Sequence, residues 1–129
     1  MERTFLAAVF VCAFGCGRPG PEASAEGVVQ AFLTATEGYG RDTAAPDRVF
    51  KLLCKDTRDH LREAAERATA LGLPVKPEQM LARWSPPAFV AERLVFDGRA
   101  AVDVYGADPR TQHARVIVAQ EGAGYCVRL

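Results

Sequence analysis

Neither sign of charge prevails in this sequence, since sixteen Lys and Arg stand against sixteen Asp and Glu. Without a net field, nothing draws the chain to a nucleic-acid polyanion through bulk electrostatics, and no nucleic-acid partner is expected. Histidine is scarce. His60 and His113 are the only two, and neither belongs to an H-x-x-x-H or paired-cysteine spacing of the kind that holds zinc. No metal and no cofactor is therefore expected. A glycine-rich phosphate loop after a strand, a G-x-S-x-G turn and a catalytic Cys and His arrangement are also missing, which removes the usual marks of phosphate and acyl-transfer chemistry. The longest apolar run, Phe5 to Phe14, has ten residues, about half of what a bilayer-spanning helix needs.

What is present is an ordinary globular balance, 49% apolar and 25% charged over 129 residues. That suits one domain with a modest core. The apolar run ends at Gly15-Cys16 and has the length of the apolar region of an export signal. After Cys16 comes Gly17-Arg18-Pro19-Gly20-Pro21-Glu22-Ala23, a tract rich in Gly and Pro that cannot continue a helix and reads as a tether.

The tetrapeptide Ala13-Phe14-Gly15-Cys16 resembles the bacterial lipoprotein signal, in which a short apolar stretch ends in a small residue and the cysteine that takes diacylglycerol. Gly15 and Cys16 match that pattern, while Ala13 stands where leucine is usual and Phe14 where a small residue is usual. The resemblance implies a signal peptide over residues 1–15, lipid on Cys16, and a tether over residues 16–23. It also implies a location in the cell envelope, held to a membrane by several acyl chains. Gly17 occupies the place where an aspartate would favour the inner membrane, so the outer membrane is expected.

From Ser24 onward the periodicity predicts one α+β domain, residues 24–129. Ser24 can cap a first helix carrying Val28, Phe32 and Ala35 on one face as far as Gly38. Pro46 suits the first turn of a second, with Val49, Phe50, Leu52 and Leu53. Asp56 is the expected N-cap of a third, in which Leu61, Ala64, Ala65, Ala68 and Leu71 share a face before Gly72. Pro74 and Pro77 leave room for one helical turn through Glu78, Met80 and Leu81. Strands are expected at Phe89–Phe96, Arg99–Tyr105, Gln112–Gln120 and Tyr125–Leu129, with Asp97-Gly98 as a two-residue hairpin turn. The expected architecture is three N-terminal helices packed on a curved four-strand antiparallel meander.

Three segments of this pattern, Val28 to Leu33, Val49 to Arg58 and the closing Gly124 to Leu129, resemble the cone-shaped superfamily named after nuclear transport factor two. That superfamily includes ketosteroid isomerases and polyketide cyclases. The resemblance implies a cone-like domain with an interior pocket, and in the enzymatic members an aspartate general base. Those members carry a strand or hairpin between the second and third helices, and none is visible here. Asp103 would be the base in an isomerase-like cone, against the reading of a solvated aspartate on the face opposite Val102 and Val104.

Met80, Trp84 and Phe89 are candidates to line an opening of the cone, or else form a lid over the core. His60 and His113 read as surface histidines, and Arg62, Glu63, Glu66 and Arg67 as a solvated helix face with ion pairs. Once Cys12 leaves with the signal and Cys16 carries lipid, Cys54 and Cys126 remain; in an exported domain they are either bridged or two separate small core residues. The sequence thus points to a lipid-anchored envelope protein whose domain binds a small apolar ligand or an envelope protein without catalysis. An isomerase- or hydrolase-like enzyme and a purely structural or assembly role are the alternatives.

Overall fold

The computed structural model describes residues 20–83 and 87–129. Within them the chain forms three helices, α1 (Ala25–Thr36), α2 (Ala45–Leu52) and α3 (Lys55–Ala70), and four strands, β1 (Arg93–Phe96), β2 (Ala101–Tyr105), β3 (His113–Glu121) and β4 (Gly124–Arg128). Short 3-10 turns sit at Pro21–Ala23 and Pro77–Arg83. The strands pair antiparallel in the order β1-β2-β3-β4, so the class is α+β. No described helix is long and apolar enough to cross a membrane.

Ser24 starts α1: its backbone is extended, and its Oγ accepts the Gly27 N–H at 3.0 Å. Glycine inside a helix costs about 1 kcal/mol against alanine, yet a Cβ on Gly27 would lie 2.5 Å from the Pro21 carbonyl oxygen. The glycine therefore lets the Pro21–Ala23 turn press against the helix. Burial on α1 is broader than one stripe, taking in Val29 and Leu33 besides Val28, Phe32 and Ala35, because the helix packs on the sheet and also on α2. Val102, Val104, Val116, Val118 and Val127 meet it from the sheet and join it in one apolar core. Strand alternation with period two explains that face.

Two helix boundaries differ from expectation. Leu53 lies outside α2 in extended conformation and bridges Val127 of β4 in parallel, and the Cys54 N–H donates to the Val127 carbonyl at 2.8 Å. Leu53-Cys54 thus covers part of the outer edge of the sheet, where unpaired backbone would otherwise invite another strand. Asp56 is not the N-cap of α3. The cap is Cys54, which makes no side-chain capping bond, and the Lys55 N–H is taken instead by Glu121 Oε2 at 2.9 Å. A carboxylate from the end of β3 therefore serves the positive end of α3.

α3 packs chiefly on the Pro77–Arg83 turn, which α2 also contacts. Ala65 is its buried apolar residue, whereas Leu71, expected on the core face, is 82% exposed at the C-terminal cap. The expected single turn near Met80 extends to seven residues. β1 is shorter than expected and begins at Arg93; in the preceding residue the Glu92 N–H still donates to the Tyr105 carbonyl at 2.8 Å.

The first hairpin turn is also longer than two residues. The Asp97 carboxylate accepts from the N–H groups of Arg99, Ala100 and Ala101 at 2.8, 2.9 and 3.1 Å, and Gly98 takes φ +82°. Those backbone donors, led by Arg99, and then the Arg115 guanidinium hold Asp97 below the usual carboxylate range. A folded-state pKa below the unfolded one means stability that is complete above about pH 4 and is lost as the pH falls through the folded value. Asp97→Ala should therefore lower the melting temperature at neutral pH, and the gap to the parent should narrow on acidification. A gap that stays constant from pH 7 to pH 2.5 in parallel thermal melts would show that the turn carboxylate is not the cause.

Candidate functional site

Several clefts of the described residues border the helices, while the core valines of the sheet pack against α1. One of them, about 600 Å³, is a groove formed by Asp56, Thr57, His60 and Leu61 of α3, Met80 and Leu81 of the 3-10 turn, and Arg128 and Leu129. Its walls are apolar. Asp56, His60 and the Arg128 guanidinium put polar groups along it, with Asp56 and Arg128 paired at 3.1 Å. The α3 contribution comes from residues spaced by one and four, which is one stripe of a helix. Such a groove can take an apolar chain or ring and hold a polar end at the ion pair.

Of the residues expected to line an opening, Met80 faces this groove. Phe89 does not join it: it lines a separate cleft of about 150 Å³ with Leu33, Thr36, Pro87 and Val90. Trp84 lies outside the described residues, as do Cys16 and Cys12. Near Met80, a further cleft of about 510 Å³ is bounded by Tyr39, Pro46, Gln79 and Leu81. The Tyr39 hydroxyl is buried without a hydrogen-bond partner, and burial raises its pKa.

Asp103 lies on the outward face of the sheet, as its alternation with Val102 and Val104 requires, but it is not simply solvated. Its Oδ1 meets His113 Nε2 at 2.9 Å and Arg115 Nη1 at 3.3 Å, and Arg115 Nη2 reaches on to Asp97 Oδ2 at 2.8 Å. In the neighbouring row Arg93, Tyr105 and His113 are register partners. The Arg93 guanidinium lies 4.6 Å from the Tyr105 ring centroid, and the Tyr105 and His113 rings stack at 4.8 Å. These contacts are cross-strand pairs of the kind that stabilise a sheet. They occupy His113 and Asp103 in structure, away from the core face. On α3 the ion pairs run from Asp59 to Lys55 and Arg62 rather than through Glu63 and Glu66.

Cys54 and Cys126 are joined by a disulfide, with Cα atoms 4.8 Å apart and a sequence separation of 72. Cys126 alternates with Tyr125 and Val127 and so belongs to the outward face, while Cys54 reaches it around the edge of β4. Glu121 is the neighbour that sequence reasoning missed: its carboxylate and the two sulfurs lie within 4.8 Å of one another. Glu121 and Cys126 are only five positions apart across the β3–β4 hairpin, but Cys54 joins them only once Leu53-Cys54 runs along β4, so no local spacing announces the grouping. Beside it a cleft of about 220 Å³ is lined by Glu22, Lys51, Arg58, Glu121 and Cys126, among others. No protein-family model, curated protein or solved structure matches the chain.

Proposed function

We propose that the chain is a lipoprotein of the bacterial envelope, cut before Cys16 and anchored by lipid on that cysteine, whose domain holds a small apolar ligand or an apolar segment of a partner protein without catalysis. The observation that carries the anchoring is the ten-residue apolar run ending at Gly15-Cys16, followed by a Gly- and Pro-rich tract. The described apolar core begins at Ala25, and the Pro21–Ala23 turn before it already packs on α1 and β4, so any slack toward the membrane would come from the residues between Cys16 and Gly20. A disulfide between the two remaining cysteines suits an oxidising compartment.

The groove walled by Leu61, Met80, Leu81 and Leu129 is the surface offered for binding. The cone-like reading draws support from Phe96 of β1 and Tyr125 of β4, whose rings meet edge to face at 5.6 Å with two strands between them. In a flat sheet those strands would stand about 14 Å apart. The isomerase-like alternative loses its base, since Asp103 points outward into the pairs with His113 and Arg115.

Mass spectrometry of the membrane fraction should show a mature chain beginning at acyl-modified Cys16, and Cys16→Ala should move the protein out of that fraction. An unmodified chain starting at another residue would refute the anchoring. The purified protein should also take up a fluorescent fatty acid, and Leu61→Arg should abolish uptake while the variant still unfolds in one cooperative transition. Equal uptake by the variant would place binding elsewhere.

A further inference from the structure

The edge of the sheet where Leu53-Cys54 joins β4 holds more chemistry than a covalent staple requires. Two sulfurs and a carboxylate converge there, and backbone contacts hold the cysteines side by side in addition to the S–S bond. The Leu53 to Val127 bridge and the Cys54 N–H bond to the Val127 carbonyl at 2.8 Å fix Cys54 beside Cys126. Glu121 is held in turn, its Oε2 accepting the Lys55 N–H at 2.9 Å and lying 3.8 Å from Cys126 Sγ. A hydrogen bond that orients a carboxylate in this way is what a metal ligand requires of its surroundings.

We propose that reduction of the Cys54–Cys126 bridge converts this edge into a site for a zinc-class divalent cation, with Cys54 Sγ, Cys126 Sγ and the Glu121 carboxylate as ligands. A dithiol reductant supplies two electrons and two protons, breaks the S–S bond and leaves as its own disulfide. The cation then displaces both thiol protons into solvent and bonds two thiolates and a carboxylate. Thiolate sulfur and carboxylate oxygen are an accepted donor set for zinc.

Burial favours the exchange. Cys54 is 0% exposed and Cys126 6%, so two bare thiolates there would be badly desolvated, whereas a divalent cation compensates them. The remaining single negative charge of a Cys₂Glu site faces the positive end of α3 and the Arg58 guanidinium, 3.9 Å from Glu121 Oε1. Glu121 and Cys126 also line the 220 Å³ cleft, which gives the fourth coordination position an opening to water or an incoming ligand. The oxidised protein lacks this site because the two sulfurs are spent on each other.

The full chain, reduced with a water-soluble phosphine and titrated with zinc against a chromophoric chelator, tests the assignment. Cys54→Ser/Cys126→Ser is the control for any contribution of Cys12 and Cys16. Reduced parent should bind one zinc more than the control, and cobalt in its place should give a thiolate-to-cobalt charge-transfer band. Glu121→Gln, which keeps an oxygen for the Lys55 N–H, should weaken binding by about tenfold or more. Oxidised parent should bind no more than the control. Equal stoichiometry in reduced parent and control, parent-like affinity in Glu121→Gln, or loss of helical circular dichroism on reduction in the presence of zinc would each overturn the proposal. The outcome does not depend on the anchoring at Cys16.

Discussion

Replacing Cys54 and Cys126 together by alanine is expected to lower the unfolding free energy by about 4 kcal/mol. The bridge closes a loop of 72 positions, and in the chain-entropy account a loop of that length restricts the unfolded chain by about that amount. Against the ~5 to 15 kcal/mol of a typical domain, the loss is large; for a chain of this size it corresponds to a fall of about 15–20 °C in melting temperature. The sulfurs are also packed, so part of the loss is filled volume. Urea unfolding of the parent, the double variant and the reduced parent under chelator measures it. The last two should agree within about 1 kcal/mol. A loss below about 1 kcal/mol would mean that the unfolded chain is already compact across this span and gains nothing from the closure.

Phe32→Ala is expected to destabilise by about 3 to 5 kcal/mol, the range for emptying an aromatic site in a closed core. Phe32 has no exposed surface and is the largest of the fully buried side chains described. It sits on α1, the helix that contacts all four strands and α2, so few neighbours can move inward to refill the space. Phe50 is the comparison. It is only half-buried, with the Arg62 guanidinium 5.3 Å from its ring centroid, and Phe50→Ala should cost less than half as much. Denaturant midpoints for both variants decide the point; equal losses would show that α1 is not the centre of the core.

The order of the elements could be read from the sequence because two periodicities are clean in it. Val28, Phe32 and Ala35 mark one face of α1, and Val102 and Val104 alternate with polar residues in β2. Where side chains take over backbone duties, local reading failed. Asp97-Gly98 has the composition of a two-residue turn, yet the Asp97 carboxylate gathers three N–H donors and lengthens the loop. Asp56 has the composition of an N-cap, yet Glu121 supplies the acceptor from the other half of the chain. Leu71 continues the apolar spacing of α3, but the helix has by then run past what it packs on and the leucine faces water.

The groove was half legible. Asp56, Thr57, His60 and Leu61 form a helical stripe that spacing shows, whereas Leu129 and Met80 reach it only through tertiary packing. Strand alternation gave Cys126 the face opposite Val127 without saying which face meets the helices. The answer depends on Leu53-Cys54 leaving helical conformation to run along β4, and nothing in the apolar pattern marks that departure.

The span between the bridged cysteines also sets a timetable. A chain made from its N-terminus at about 5 to 20 residues per second adds the 72 residues that follow Cys54 up to and including Cys126 in about 4 to 14 s. Throughout that interval the native partner of Cys54 does not yet exist, while Cys12 and Cys16 precede it in the chain. The first thiols that Cys54 can meet on its own polypeptide are therefore the wrong ones. Correct pairing is favoured if oxidation waits for β4, or if the two upstream sulfurs are withdrawn from exchange beforehand, as the proposed cleavage before Cys16 and lipid on Cys16 would do.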